Sequence, residues 1–293
     1  MPGHAPAKPK LENCAPVCKG FPNTKHNLFS HREWPKMTSQ HLTLKKKLAD
    51  PHRKLTAHVC TIPSATVPQA MAAAGSDAVI IDMEHGAVDY ASAHAMIAAT
   101  AGTECAPLVR IMENDPAQVK RVLDLGAEGI VFPLIRSAAD AEKAVASLRY
   151  PPHGTRGFGP FLAHSRWGMS LLDYREAVDG HLVCCLLVET RDAIENIEEI
   201  CAVPGIDLIV PAQFDLSTDL GISGQFDHPD FQAAIAKVEK AANAAAIPLG
   251  NVGLAKPQAD ALFAKGYRVI AGFDILWFKA VAAETQSWTR DPD

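Results

Sequence analysis

Four places along the 293-residue chain join a chemistry-bearing side chain to the end of an apolar run. AVIID passes into Asp82-Met83-Glu84-His85-Gly86, PLVRI carries Arg110, VCCLLV stops at Glu189, and IVP leads through Ala212-Gln213-Phe214 to Asp215. Glu189 and Asp215 are hard oxygen donors with no cysteine beside them in the set, which suits Mg²⁺ or Mn²⁺, ions that keep part of their shell for water and substrate. An α-keto acid supplies two more oxygens, and a divalent ion there acts as a Lewis acid on the keto group. Arg110 adds a second positive charge where an enolate oxygen develops. His85 can move a proton near neutral pH. Asp82, three residues earlier, is placed to orient its imidazole, and Glu84 to pair with Arg110. The other route to a stabilised carbanion is a Schiff-base lysine. No lysine lies within an expected strand; Lys256 comes nearest and reads as an exposed helix start.

Singly, each of these residues has a plainer explanation: a strand-end carboxylate often caps a helix, and an arginine often makes a surface ion pair. Their convergence depends on the elements that carry them. Short apolar runs at 57–62, 78–82, 107–111, 129–133, 183–189, 206–210, 247–250 and 268–272 read as strands. Amphipathic, Ala-rich segments follow at 66–74, 90–101, 116–125, 138–148, 191–201, 229–246, 256–265 and 274–287, after a short helix near 41–49. Alternating strand and helix implies a parallel sheet, and eight units imply a closed (β/α)8 TIM barrel of the α/β class. Gly75, Gly126 and Gly266 each follow a helix and precede a strand, as left-handed helix ends do. Asp115-Pro116, His228-Pro229, Ser137 and Thr190 mark helix starts. Barrels place their active sites at the C-terminal ends of the strands, so the polar residues above share one rim. Residues 150–181, polar and aromatic after YPPHGTRGFGP, form an elaborated loop. Gly250, Gly253 and Gly272 lie where barrels bind phosphate, but tight turns explain them as well.

The 48% hydrophobic content supports one large core, giving a single catalytic domain over 41–293. Residues 1–40 are rich in Pro, Lys, His and Asn without an apolar period and read as a disordered or loosely packed extension; His4, His26 and His31 lack ligand spacing. A formal net charge of −5 argues against nucleic acid. The Lys45-Lys46-Lys47 run reads as the wet face of a short helix. No stretch of about 20 apolar residues is present to span a membrane. Seven irregularly spaced cysteines do not form a disulfide framework, which fits a reducing cytoplasmic setting. Cys184 and Cys185, adjacent in a strand, point to opposite faces.

IDMEHG (81–86), PLVRI (107–111), VKRVLDLGAEGIVFPLI (119–135), RYPPHGTRGFG (149–159), VET (188–190) and FDLSTDLG (214–221) together resemble the HpcH/HpaI family of metal-dependent pyruvate aldolases, which includes macrophomate synthase. The resemblance covers residues 42–285. It implies a catalytic dyad of His85 and Asp82, enolate stabilisation by Arg110, and a divalent metal (Mg²⁺ or Mn²⁺, with Co²⁺ also acceptable) on Glu189 and Asp215. It also implies a pyruvate carboxylate on the backbone N–H groups of Phe214 and Asp215. The assembly implied is a homo-trimer or homo-hexamer whose C-terminal helix, with its apolar FDILWF (273–278), packs on a neighbour. Two departures stand out: Leu187 replaces a glutamine common two residues before the metal glutamate, and Ala212-Gln213-Phe214-Asp215 replaces Gly-Pro-x-Asp.

The leading expectation is a lyase that cleaves a 4-hydroxy-2-oxo acid into pyruvate and an aldehyde, and runs in reverse. The runner-up decarboxylates oxaloacetate and traps the same enolate with another electrophile, as a macrophomate-synthase-like enzyme does. A third reading is a catalytically silent barrel that binds a keto acid.

Overall fold

The computed structural model describes residues 44–289; the 1–40 extension and its three histidines lie outside them. Eight strands alternate with helices: β1 (Leu55–Cys60), β2 (Ala78–Asp82), β3 (Ala106–Arg110), β4 (Gly129–Phe132), β5 (Val183–Val188), β6 (Leu208–Pro211), β7 (Gly250–Val252) and β8 (Val269–Phe273). They pair in the order β6-β5-β4-β3-β2-β1-β8-β7, parallel at every step. A parallel bridge from Ile209 to Leu249 brings β6 to β7 and closes the barrel. The expected (β/α)8 architecture is therefore the one observed.

Alternation along the strands builds two cores. Leu55, Ala57, Val59, Ile80, Leu108, Val131, Cys185 and Leu187 point inward and fill the barrel. Val79, Ile81, Val109, Phe132, Cys184 and Leu186 point outward under the helices. Cys184 and Cys185 thus face opposite sides, as strand geometry requires. Leu187 extends the apolar barrel filling to within two residues of Glu189, which accounts physically for that departure.

The N-terminal end of the barrel is plugged. Helix Leu44–Ala49 sends Leu44 and Leu48 into the interior cluster. Lys47 is buried and pairs with Asp77 at 3.0 Å, and Lys45 pairs with Asp207 at 3.0 Å. The Leu44 N–H donates to Glu128 at 2.9 Å. Asp77, Glu128 and Asp207 precede β2, β4 and β6, so the lysine run is not a wet face. Two of its three members tie the plug to the strand starts, and only Lys46 is exposed. With this end filled, the C-terminal end is the one left for a site.

The local signals behave as their chemistry dictates. Gly75, Gly126 and Gly266 have φ of 92°, 106° and 94°. Asp115, Ser137, Thr190 and His228 each accept a first-turn N–H at the start of their helix. Element edges differ more. β1 begins two residues earlier than expected and β7 three later, the apolar run before it serving as its approach. The segment 191–201 is two short helices, Arg191–Glu195 and Ile197–Cys201, broken at Asn196. Residues 150–181 hold helices Ala163–Arg166 and Tyr174–Val178 with their own small core of Tyr150, Trp167, Met169, Tyr174 and Val178. The late glycines serve packing: a Cβ at Gly272 would lie 2.0 Å from the Trp277 ring, and one at Gly253 would lie 2.9 Å from Ile270.

Candidate active site

At the C-terminal mouth the chain turns sharply after β2. A Cβ at Gly86 would meet the Asp82 carbonyl oxygen at 2.3 Å, so the Met83–Gly86 turn closes tightly only with glycine there. Asp82 organises this turn. Its Oδ1 accepts the backbone N–H groups of Glu84 (3.1 Å) and His85 (3.2 Å), and its carboxylate accepts Arg110 Nε at 2.8 Å and Nη2 at 2.5 Å. β2 and β3 pair with Asp82 opposite Arg110, so sheet register delivers this two-pronged contact. Asp82 is fully buried and its acceptor positions are engaged. It therefore does not touch the His85 ring, and the expected Asp82–His85 side-chain dyad is not what the geometry forms. Glu84 takes that place: its Oε2 lies 3.6 Å from His85 Nε2 and 3.3 Å from Arg110 Nη1, making the expected pair with Arg110 as well. Burial is opposed at Arg110 by the hydrogen bonds and charge of Asp82, with Glu84 and Glu189 adding to them, and its net pKa is raised.

Glu189 follows β5 directly and is buried. One of its oxygens accepts the backbone N–H of Leu134, a non-glycine residue with φ of 56° just past β4. Leu134 thus holds a left-handed backbone that aims its N–H at the carboxylate. Burial pushes the Glu189 acid up to about 6; Leu134 and Arg110 act against this, and Glu84 and Asp215 add to it. Burial likewise pushes Glu84 up to about 7, with Arg110 opposing and Asp82 and Asp215 adding.

Asp215 lies in the first turn of helix Gln213–Asp219, an element absent from the sequence reading. Leu216 anchors this helix in a cluster with Phe231, Ala234 and Ile235. Gln213 donates to buried Asn251 of β7 at 2.8 Å, fixing the helix start over the barrel. The first helical bond runs from Leu216 N–H to Ala212, so the N–H groups of Gln213, Phe214 and Asp215 emerge at the helix N-terminus. Asp219, at its far end, accepts the Arg191 N–H at 2.6 Å.

These groups meet in one cleft of about 350 Å³. Glu84, His85, Glu189 and Asp215 line it with Leu134 and Thr190. Arg136, Thr218 and Asp219 complete the wall. Sequence reasoning named the four charged or titratable members of the first group, gave Thr190 only as a helix cap, and missed Leu134, Arg136, Thr218 and Asp219. Arg136 was open to discovery, since it follows the end of β4 by a few residues; Asp219, at the far end of a helix, and Leu134, whose backbone acts, were not. Among the described residues no group of three or more His, Cys, Asp or Glu side chains is arranged to hold a metal ion. A cation here would rest on two carboxylates and take its remaining ligands from water and substrate. Lys256 pairs with Asp260 one turn on and lies outside the cleft.

The model of the HpcH/HpaI aldolase/citrate lyase family matches residues 62–279. A hydroxypyruvate/pyruvate aldolase of Chromohalobacter salexigens is 37% identical over 219 residues, covering 74% of this chain and 86% of that protein. A 4-hydroxy-2-oxo-heptane-1,7-dioate aldolase of Salmonella dublin is 38% identical over 191 residues, 64% of this chain and 72% of that protein. Among solved structures, macrophomate synthase superposes with a TM-score of 0.75 at 25% identity, covering 92% of this chain and 97% of that one.

Proposed function

Because the chain belongs to the HpcH/HpaI aldolase/citrate lyase family, we propose that its barrel mouth cleaves and forms 4-hydroxy-2-oxo acids through the enolate of pyruvate. The chain is an aldolase, a carbon–carbon lyase acting on small keto acids. The observation that carries the finer reading is the convergence of Glu189 and Asp215 on a cleft whose lining residue Glu84 pairs with Arg110 behind it.

The donor set fits a divalent cation. It is all oxygen, and burial with neighbouring carboxylates holds the Glu189 acid at about 6, an environment that favours a compensating positive charge. Glu189 and Asp215 would hold Mg²⁺ or Mn²⁺, and Co²⁺ suits the same donors. Bound there, the ion supplies Lewis-acid polarisation of the substrate keto oxygen. The N–H groups of Phe214 and Asp215 receive the keto-acid carboxylate, as a helix N-terminus favours. His85 takes the proton of the C4 hydroxyl. The C3–C4 bond then breaks, its electron pair passing toward C3 and the C2 oxygen, and the aldehyde leaves. Arg110, held rigid by two carboxylates, faces the oxygen that gains charge. Protonation at C3 completes the release of pyruvate.

A second reading keeps the enolate but generates it from oxaloacetate by loss of CO₂. The likeness to macrophomate synthase supports it. For assembly, the exposed Ile275, Leu276, Phe278 and Val281 of helix Asp274–Ser287 support a homo-trimer or homo-hexamer that covers them. Among the described residues no helix is long and apolar enough to cross a membrane. Five buried free thiols among the described residues accord with a reducing, cytoplasmic setting.

The test is pyruvate release from a 4-hydroxy-2-oxo acid, and from oxaloacetate, by chelator-treated protein before and after Mn²⁺ or Mg²⁺ is restored. Metal-dependent release supports the proposal, and release from oxaloacetate alone favours the second reading. No release from either substrate overturns it.

A further inference from the structure

The cleft is acidic: Glu84, Glu189, Asp215 and Asp219 all face it. Two of these carboxylates are assigned to the metal, and Asp219 is engaged by the Arg191 N–H. Arg110 is also committed, its guanidinium clasped by Asp82 and Glu84. Among the described residues lining the cleft, one permanent cation remains, Arg136.

Arg136 is fixed at its backbone and free at its tip. Its N–H donates to Asp140 at 3.1 Å, and its carbonyl accepts Asn196 at 2.9 Å, so the loop after β4 is tied both to the helix it starts and to the one after β5. Its guanidinium makes no ion pair or hydrogen bond with any described residue, although carboxylates line the same cleft. It stands two residues beyond Leu134, whose N–H meets buried Glu189, and is itself exposed at the cleft wall. A substrate that seats its keto-acid end at Glu189 and Asp215 directs its other end toward the mouth. An anion at that end would be repelled by the acidic wall unless a cation met it there, and a guanidinium offers paired donors to carboxylate or phosphate oxygens.

We propose that Arg136 is a specificity-determining residue that binds an anionic group, a carboxylate or a phosphate, at the far end of the aldehyde or of the corresponding 4-hydroxy-2-oxo acid. The assignment rests on the enolate reading above and adds the substrate class to it. Arg136 holds the tail and takes no part in breaking the carbon–carbon bond.

The experiment measures kcat and KM for aldol addition of pyruvate to three aldehydes of similar length: succinic semialdehyde, glyceraldehyde 3-phosphate and neutral butanal. Wild-type protein, Arg136→Gln and Arg136→Lys are compared, with exchange of the pyruvate C3 protons in D₂O followed in parallel. A charge-assisted contact at an exposed site is worth about tenfold in kcat/KM. The wild type is expected to favour an anionic aldehyde over butanal by about that factor, with the difference in KM for the aldehyde. Arg136→Gln should collapse the ratio, Arg136→Lys should restore part of it, and added salt should shrink it. Whether the carboxylate or the phosphate shows the larger effect identifies the tail. A ratio unchanged in Arg136→Gln, or a parallel fall for charged and neutral aldehydes, overturns the assignment while leaving the enolate reading intact. Absence of C3 exchange in the wild type overturns the enolate reading and this inference with it.

Discussion

Glu84 Oε2 lies 3.6 Å from His85 Nε2, while Asp82 grips Arg110 through both its oxygens. Glu84 is thus the carboxylate beside the proton-transfer group, and burial sets its acid near 7. An ionised Glu84 can hold the proton that His85 takes up; a neutral one cannot. Cleavage is therefore expected to rise with pH along a limb below about 7, the value of the metal-free cleft. A divalent cation in the cleft accounts for the displacement, because positive charge favours the carboxylate. Glu84→Gln should remove the limb. A kcat/KM profile with the same limb in Glu84→Gln would assign the titration elsewhere.

Asp82 has a different task, to hold Arg110 and the turn that carries His85. Replacing it by alanine leaves a half-buried guanidinium with Glu84 as its remaining partner, a change that costs at most about 3–5 kcal/mol. Asp82→Ala should lower the melting temperature and damage both aldol cleavage and oxaloacetate decarboxylation. Selective loss of cleavage, with stability kept, would return Asp82 to the role of orienting the imidazole.

His85 and Arg110 separate by reaction. Cleavage requires removal of the C4 hydroxyl proton, whereas loss of CO₂ from oxaloacetate yields the enolate directly. His85→Ala should abolish the first and leave much of the second. Arg110→Ala should reduce both, by about 10²–10³ if it acts as a single oxyanion donor. Measuring kcat for both reactions in both mutants at saturating metal decides the matter; equal losses in His85→Ala would contradict it.

Truncation distinguishes the N-terminal extension from the barrel plug. A chain lacking residues 1–40 retains Leu44, Leu48 and the Lys47–Asp77 pair and should fold and turn over as the full chain does. Leu48→Ala, which empties a buried site in the barrel floor, should cost about 2–5 kcal/mol. Thermal melts check both. A large drop from removing residues 1–40 would give that segment a part in the fold.

The architecture was legible because buried strands read as continuous apolar runs and helix ends carry glycine and cap chemistry. The residues ending those runs had to share a rim once the sheet closed, and four of them line the cleft. What escaped depends on contacts far apart in sequence. Lys47 belongs to a charge run that looks solvated until Asp77, thirty residues on, is brought beneath it. The Asp82 carboxylate is close to His85 in sequence, but its direction follows from the register of β2 against β3, which places Arg110 opposite it. Helix Gln213–Asp219 is too short and polar to show a period, and its stability comes from Leu216 packing on a helix that starts at Pro229. Leu134 contributes a backbone N–H, which no side-chain pattern reports.

Glu189 and Asp215 are proposed to hold a divalent cation, and the cleft they line to take a C3 proton from pyruvate. Mn²⁺ titration of chelator-treated protein tests both at once, with pyruvate C3 exchange into D₂O followed by NMR at each step, in the wild type and in Glu189→Gln. Exchange in the wild type should rise with metal occupancy, and Glu189→Gln should show a weaker Mn²⁺ affinity with exchange lost in proportion. Equal Mn²⁺ affinity in the two proteins, or exchange that persists without metal, would contradict the proposal.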